Sequence, residues 1–249
     1  MSVNSDSQAR DLSVKIALQS VQARLEKAAK EAGRTDVPRL VAVGKTKPSE
    51  MIMDAYEVGQ RHFGENYAQE LVRKAEELPK DICWHYIGPL QSNKAKLLSK
   101  VENLWCVETV DRIKIADALN KEWVEKSEPL RVMLQVNVSE EEAKSGAGKG
   151  EAVDVANHIV SNCPGLSLIG LMTIGMANAG PDNEDFKSLA SLRNQVAEAL
   201  NRSPTSLELS MGMSGDFETA TKLGSTNVRV GSTIFGARFY PNVSAEATG

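Results

Sequence analysis

Histidine and cysteine are scarce in this chain of 249 residues, with three of each. His62, His85 and His158 share no metal-ligand spacing with one another, and Cys83, Cys106 and Cys163 form no CxxC pair. Cys83 and His85 lie two apart, but on a strand that spacing more often marks two core neighbours than two ligands. No metal site is expected. Widely spaced, unpaired cysteines suit reduced thiols in a cytosolic-type compartment, so a cytoplasmic protein is expected. A basic excess is also missing. The 29 Lys and Arg against 33 Asp and Glu leave a net charge of −4. That argues against a broad nucleic-acid surface, because phosphate backbones need a basic footprint. No apolar run approaches the roughly 18 residues of a membrane span. Met1 to Asp11 has no apolar core and carries Asp6 and Asp11. Neither a secretory signal nor an Arg-rich transit peptide is expected there.

What is present is rhythm. Residues 8–32 place Leu18, Val21, Leu25 and Ala28 at helical spacing and end at Gly33. Apolar strand-like runs then recur near 39–44, 61–64, 84–87, 104–108, 131–138, 166–173, 206–210 and 227–231. Helical periodicity fills the gaps, as in Ile115, Leu119 and Trp123, or Val155, Ala156 and Ile159. Regular alternation of this kind implies a parallel sheet. Eight units in about 210 residues predict an α/β fold, a single (β/α)8 TIM barrel with an extra N-terminal helix. A doubly wound open sheet is the rival. It normally carries a Gly-rich turn after its first strand, whereas Gly44-Lys45-Thr46-Lys47-Pro48 has one glycine. With no linker dividing the chain, one domain over residues 1–240 is expected, followed by a frayed tail at 241–249.

The heptapeptide Val41-Ala42-Val43-Gly44-Lys45-Thr46-Lys47 delivers a lysine at the end of a buried strand. There an amine can lose hydration and become nucleophilic, as a Schiff base with an aldehyde requires. Taken alone, the heptapeptide reads first as a solvated lysine at a strand end. Two further segments change that. Ser210-Met211-Gly212-Met213-Ser214-Gly215-Asp216 follows the seventh strand, and Gly231-Ser232-Thr233-Ile234-Phe235-Gly236 follows the eighth. Either could be a plain helix cap, but together they occupy the two positions where barrels hold phosphate. On the eighth strand Arg229 shares a face with Asn227 and Gly231, opposite Val228 and Val230. It therefore points inward, where a charge must be paired or must bind something. Strands one and eight are neighbours in a closed barrel. A phosphate cradle, an amine nucleophile and an inward arginine then describe a pyridoxal phosphate site.

These residues carry a resemblance. The stretches 42–48 (AVGKTKP), 63–67 (FGENY), 84–88 (WHYIG), 170–174 (GLMTI), 210–214 (SMGMS) and 228–232 (VRVGS) occur in this order. In them the chain resembles the pyridoxal phosphate homeostasis proteins, whose single domain is similar to the barrel of fold type III enzymes such as alanine racemase. That family usually has serine before the lysine, and Gly44 departs from it. The resemblance implies pyridoxal 5'-phosphate held covalently on Lys45. Ser210, Ser214, Gly231, Ser232 and Thr233 would bind the phosphate, Arg229 would meet the ring nitrogen, and Asn66 and His85 would line the open side. Lys144 and Ser145 lie in another family-like loop, where a solvated turn is the simpler reading. The implied partners are pyridoxal phosphate, related B6 vitamers and apo-enzymes that receive the cofactor, with the protein itself a monomer.

An arginine at the pyridine nitrogen keeps it unprotonated and weakens the ring as an electron sink. Racemases of this fold draw a second acid/base from an additional β domain, and no such domain is expected after Tyr240. The sequence therefore favours a non-catalytic cofactor-holding protein in vitamin B6 homeostasis. An amino-acid racemase is the alternative, and an enzyme of this fold without the cofactor is a weaker third reading.

Overall fold

A computed structural model describes residues 3–139, 145–176 and 180–237. The expectations for Lys144, Tyr240 and the tail at 241–249 lie outside the described residues. A long helix α1 (Val3–Glu31) precedes eight strands, each followed by helix. The first half runs β1 (Arg39–Val43), α2 (Ser49–Glu57), β2 (His62–Glu65), α3 (Ala68–Glu77), β3 (Cys83–Tyr86), α4 (Ala95–Leu98), β4 (Leu104–Val110) and α5 (Ile113–Trp123). The second runs β5 (Leu130–Gln135), α6 (Ala152–Asn162), β6 (Leu166–Met172), α7 (Glu184–Ala199), β7 (Glu208–Ser210), α8 (Phe217–Lys222), β8 (Asn227–Val230) and α9 (Ser232–Phe235). The strands pair in sequence order, and β8 pairs parallel with β1 to close the barrel. The expected (β/α)8 architecture is the one observed.

Strand parity divides the core in two. Leu40, Ala42, Phe63, Trp84, Val107, Val228 and Val230 face the helices and join one continuous apolar layer. Ile115, Leu119 and Trp123 of α5 and Phe186, Leu189 and Val196 of α7 meet it from outside. Burying a side chain of this size contributes about 1.5–3 kcal/mol, so the layer is the main source of stability. Inside the barrel, a small apolar cluster of Cys106, Met133 and Met172 occupies one side. Val41, Val43 and Ile87 also face inward, beside the polar side chains of His85, Glu108, Asn227 and Arg229.

Helix α1 packs on α2, α8 and α9 through Val14, Leu18, Val21 and Leu25. It thus straps the outer wall at the seam between β8 and β1. Strand β7 is shorter than the run 206–210 suggests, because Pro204–Ser206 turn as a short 3-10 segment before it. One glycine has a clear steric duty. A Cβ on Gly88 would stand 1.9 Å from the Asn66 carbonyl oxygen, so only glycine lets the loops after β2 and β3 approach.

Candidate functional site

At the C-terminal ends of the strands a cavity of about 340 Å³ opens over the β8–β1 seam. Lys45 and Lys47 reach it from the turn after β1, Asn66 from the end of β2, and Arg229 from β8. Met213, Ser214 and Gly215 close it after β7, and Gly231 and Ser232 after β8. Three cationic side chains thus line the cavity, and no carboxylate does among the described residues. In a chain of net charge −4 this is a local reversal of sign, suited to an anionic guest.

The loops after β7 and β8 are built to bind oxygen. Gly212 turns with φ of 98°, and a Cβ there would come within 2.5 Å of the Ala220 Cβ, so the loop folds tightly onto α8. The turn carries Ser214 across to the next loop, where its Oγ accepts the Gly231 N–H at 3.1 Å and the Thr233 N–H at 3.5 Å. Two backbone N–H groups therefore converge on one oxygen position at the cavity edge, which is the donor arrangement a phosphate oxygen needs. Asn66 adds a polar atom, Oδ1, that is buried without a hydrogen-bond partner. These features fit pyridoxal phosphate, whose phosphate, ring and aldehyde would meet the N–H pair, Arg229 and Lys45.

Arg229 is 4% exposed and held from behind. Its guanidinium donates to Ser210 Oγ and, at 2.8 Å, to the Thr173 carbonyl. Ser210 in turn donates to Glu108 Oε2 at 2.5 Å, and Glu108 Oε1 lies 2.6 Å from His85 Nδ1. His85 Nε2 sits 2.9 Å from His62 Nδ1, and Trp105 stacks on the His85 ring at 4.7 Å. Burial works to raise the Glu108 carboxyl, but the hydrogen bonds from His85 and Ser210 and the charge of Arg229 hold it below its ordinary value. It remains an anion that balances Arg229. Burial pulls Arg229 itself downward while Glu108 and Asp216 pull it back. Desolvation, with His85 and Arg39 adding to it, drops His62 to about 3, so that ring is neutral.

Under the turn bearing Lys45 lies a second buried ionic group. Lys74 of α3 is fully buried and donates to Glu65 Oε1 at 2.7 Å, Glu70 Oε1 at 2.8 Å and the Gly44 carbonyl at 2.8 Å. A Cβ on Gly44 would meet Ile52 Cδ1 at 2.3 Å and Glu65 Oε1 at 2.9 Å. The glycine before Lys45 therefore gives Glu65 room against the turn.

The sequence family described as alanine racemase, N-terminal domain, matches residues 16–239. The chain belongs to that family. A human pyridoxal phosphate homeostasis protein is 46% identical over 248 residues, covering 94% of this chain and 90% of its own length. A Haemophilus influenzae protein of the same name is 42% identical over 229 residues, with 90% and 95% covered. Among solved structures, PipY of Synechococcus elongatus with PLP bound superposes with a TM-score of 0.72 at 32% identity, covering 90% of this chain and all of PipY. Alanine racemase of Corynebacterium glutamicum shares the fold at 17% identity and TM-score 0.62, over 88% of this chain and 62% of its own.

Within this alanine racemase-like barrel, six residues singled out from the sequence surround one cavity: Lys45, Asn66, Ser214, Arg229, Gly231 and Ser232. Thr233 adjoins them through Ser214. The other two lie beneath the lining. His85 faces inward as expected but one layer down, below Ile87, fully buried with both ring nitrogens engaged. Ser210 is also fully buried, and its hydroxyl serves Arg229 and Glu108. It stands behind the arginine instead of beside the Gly231 N–H. Ser145 is exposed and borders an adjoining cavity of about 310 Å³ together with Asn66, Thr109 and Gln135. Glu108 was missed, although a lone acid within the apolar run 104–110 carries the same parity signal as Arg229.

Proposed function

We propose that this protein holds pyridoxal 5'-phosphate, joined to Lys45, and serves intracellular vitamin B6 homeostasis without turning over amino acids. The observation that carries this reading is the meeting of Lys45, Arg229 and the Gly231 and Thr233 N–H pair at one carboxylate-free lining among the described residues. Ser214, Gly231, Ser232 and Thr233 would take the phosphate, Arg229 the ring nitrogen and Asn66 the open side. When bound, the group supplies an aldehyde carbon and an electron-accepting ring. Lys45 would hold the group at that carbon through its amine, as a C=N linkage made with loss of the aldehyde oxygen as water. Hydrolysis would free the cofactor, so holding and handing over would use one reversible linkage. The names of the human and Haemophilus relatives and the PLP in PipY support the reading. We take the protein to be a cytoplasmic monomer whose recipients are apo-enzymes that need the cofactor. Among the described residues no helix is long and apolar enough to cross a membrane.

The competing reading is a racemase, which must move protons on both faces of a substrate carbon. Among the described residues lining either cavity, the titratable side chains are Lys45, Lys47 and Arg229. Lys47 sits two residues from Lys45, His85 lies under the floor, and Tyr67 lines neither cavity. This favours a holder over a racemase.

Borohydride reduction of the cofactor-loaded protein followed by peptide mapping should find a pyridoxyl group on Lys45. An unmodified Lys45 in protein holding stoichiometric cofactor would sink the linkage. A screen of L- and D-amino acids in deuterium oxide should leave the α-hydrogen unexchanged. Rapid deuterium uptake that disappears in Lys45→Ala would make the protein an enzyme.

A further inference from the structure

The peptide groups on either side of Lys45 are tied to one buried ionic cluster. The Gly44 carbonyl, just before the lysine, accepts from Lys74 Nζ at 2.8 Å. The Thr46 N–H, just after it, donates to Glu70 Oε1 at 2.8 Å, and that same oxygen accepts from Lys74. Thr46 sits at φ of 60°, a conformation that a β-branched residue rarely adopts without outside help. Glu65 Oε1, the third partner of Lys74, rests against Gly44 from the β2 side. A lysine wholly removed from water is costly unless its donors are all satisfied, and here one of the three goes to the backbone beside Lys45.

We propose that Lys74 is a positioning residue for Lys45. It acts with Glu70 to clamp both flanking peptide groups, so that the Lys45 amine is presented to the aldehyde carbon instead of swinging with a loose turn. The proposal rests on the reading of Lys45 as the cofactor-bearing lysine. A cluster that merely held α3 to the barrel would affect every ligand alike. A clamp on Lys45 would affect only ligands that react with it.

Two vitamers separate these cases. Pyridoxal phosphate carries the aldehyde; pyridoxamine phosphate has the same ring and phosphate but nothing for Lys45 to attack. In Lys74→Met, borohydride trapping on Lys45 should slow on the order of tenfold or more, the scale of a misplaced reacting group. Affinity for pyridoxamine phosphate should change by less than about twofold, because the N–H pair and Arg229 lie elsewhere. Glu70→Ala keeps the buried Lys74–Glu65 pair and frees only the Thr46 N–H, so it should show a smaller slowing with the same selectivity. It decides the matter if Lys74→Met does not fold. Trapping at the wild-type rate in the folded variants, or equal weakening of both vitamers, overturns the clamp. Failure of wild-type Lys45 to trap at all would instead overturn the functional reading beneath it.

Discussion

Glu65 shows how one residue can set a pH response. Burial lifts its carboxyl from 4.5 to about 7; Lys74 pulls it back and Glu70 pushes it further up. Two carboxylates share one buried ammonium, and Glu65 Oε2 has no hydrogen-bond partner. Because the folded pKa is the higher one, the folded state binds more protons than the unfolded chain between about pH 4.5 and 7. Stability from this group is complete below pH 4.5 and is lost as pH rises through 7. The shift corresponds to about 3 kcal/mol. Urea denaturation of wild type and Glu65→Gln at several pH values should show the difference between them shrinking or reversing over this window. A constant difference would mean that Glu65 does not titrate there. Subtracting the variant also removes the opposite slope from carboxylates such as Glu31 and Glu218, which ion pairs hold low.

Among the elements, the two loops after β7 and β8 depend on strand β1 as much as on each other. A Cβ on Gly231 would stand 3.3 Å from both the Val43 Cβ and the Val43 carbonyl. Its φ of −117° allows any side chain, so the constraint is space alone. Gly231→Leu should push β8 from β1 and weaken pyridoxal phosphate more than phosphate-free pyridoxal. Each charge-assisted hydrogen bond lost should cost roughly 1.5–3 kcal/mol. Equal weakening of the two vitamers, read by equilibrium titration, would move the phosphate away from this loop. The elements were legible because buried parallel strands are continuous apolar runs and helices repeat every third or fourth residue. Depth was not legible. Alternation tells which side of a strand a residue faces, but not how far below the mouth it lies. That is why His85 and Ser210 were placed at the cavity and are found under it. Lys74 was hidden for another reason. Glu70 and Lys74, four apart on α3, have the spacing of an ordinary solvated helix pair. Only the barrel against which α3 packs makes that pair interior.

For the whole molecule, the sequence pointed to the closed barrel and to Lys45 and Arg229 sharing its mouth, since both follow from strand order and parity. The role of α1 was less readable, because an amphipathic N-terminal helix fits the barrel bottom, a partner or the wall equally well. Its apolar face meets α2, α8 and α9, which places it across the β8–β1 seam. That seam joins Arg39 to Asn227, 188 positions apart along the chain. Contacts between such distant segments carry a larger loop-closure cost than local ones. Lys45 and its neighbours are made early in synthesis, whereas Arg229 and Gly231 belong to the last strand. The cofactor pocket therefore does not exist until the ring has shut. A ligand that binds only the shut ring draws the folding equilibrium toward it. Vitamer supply would then act on this chain as a folding aid, setting how much of it survives in the cell as well as how much of it is loaded.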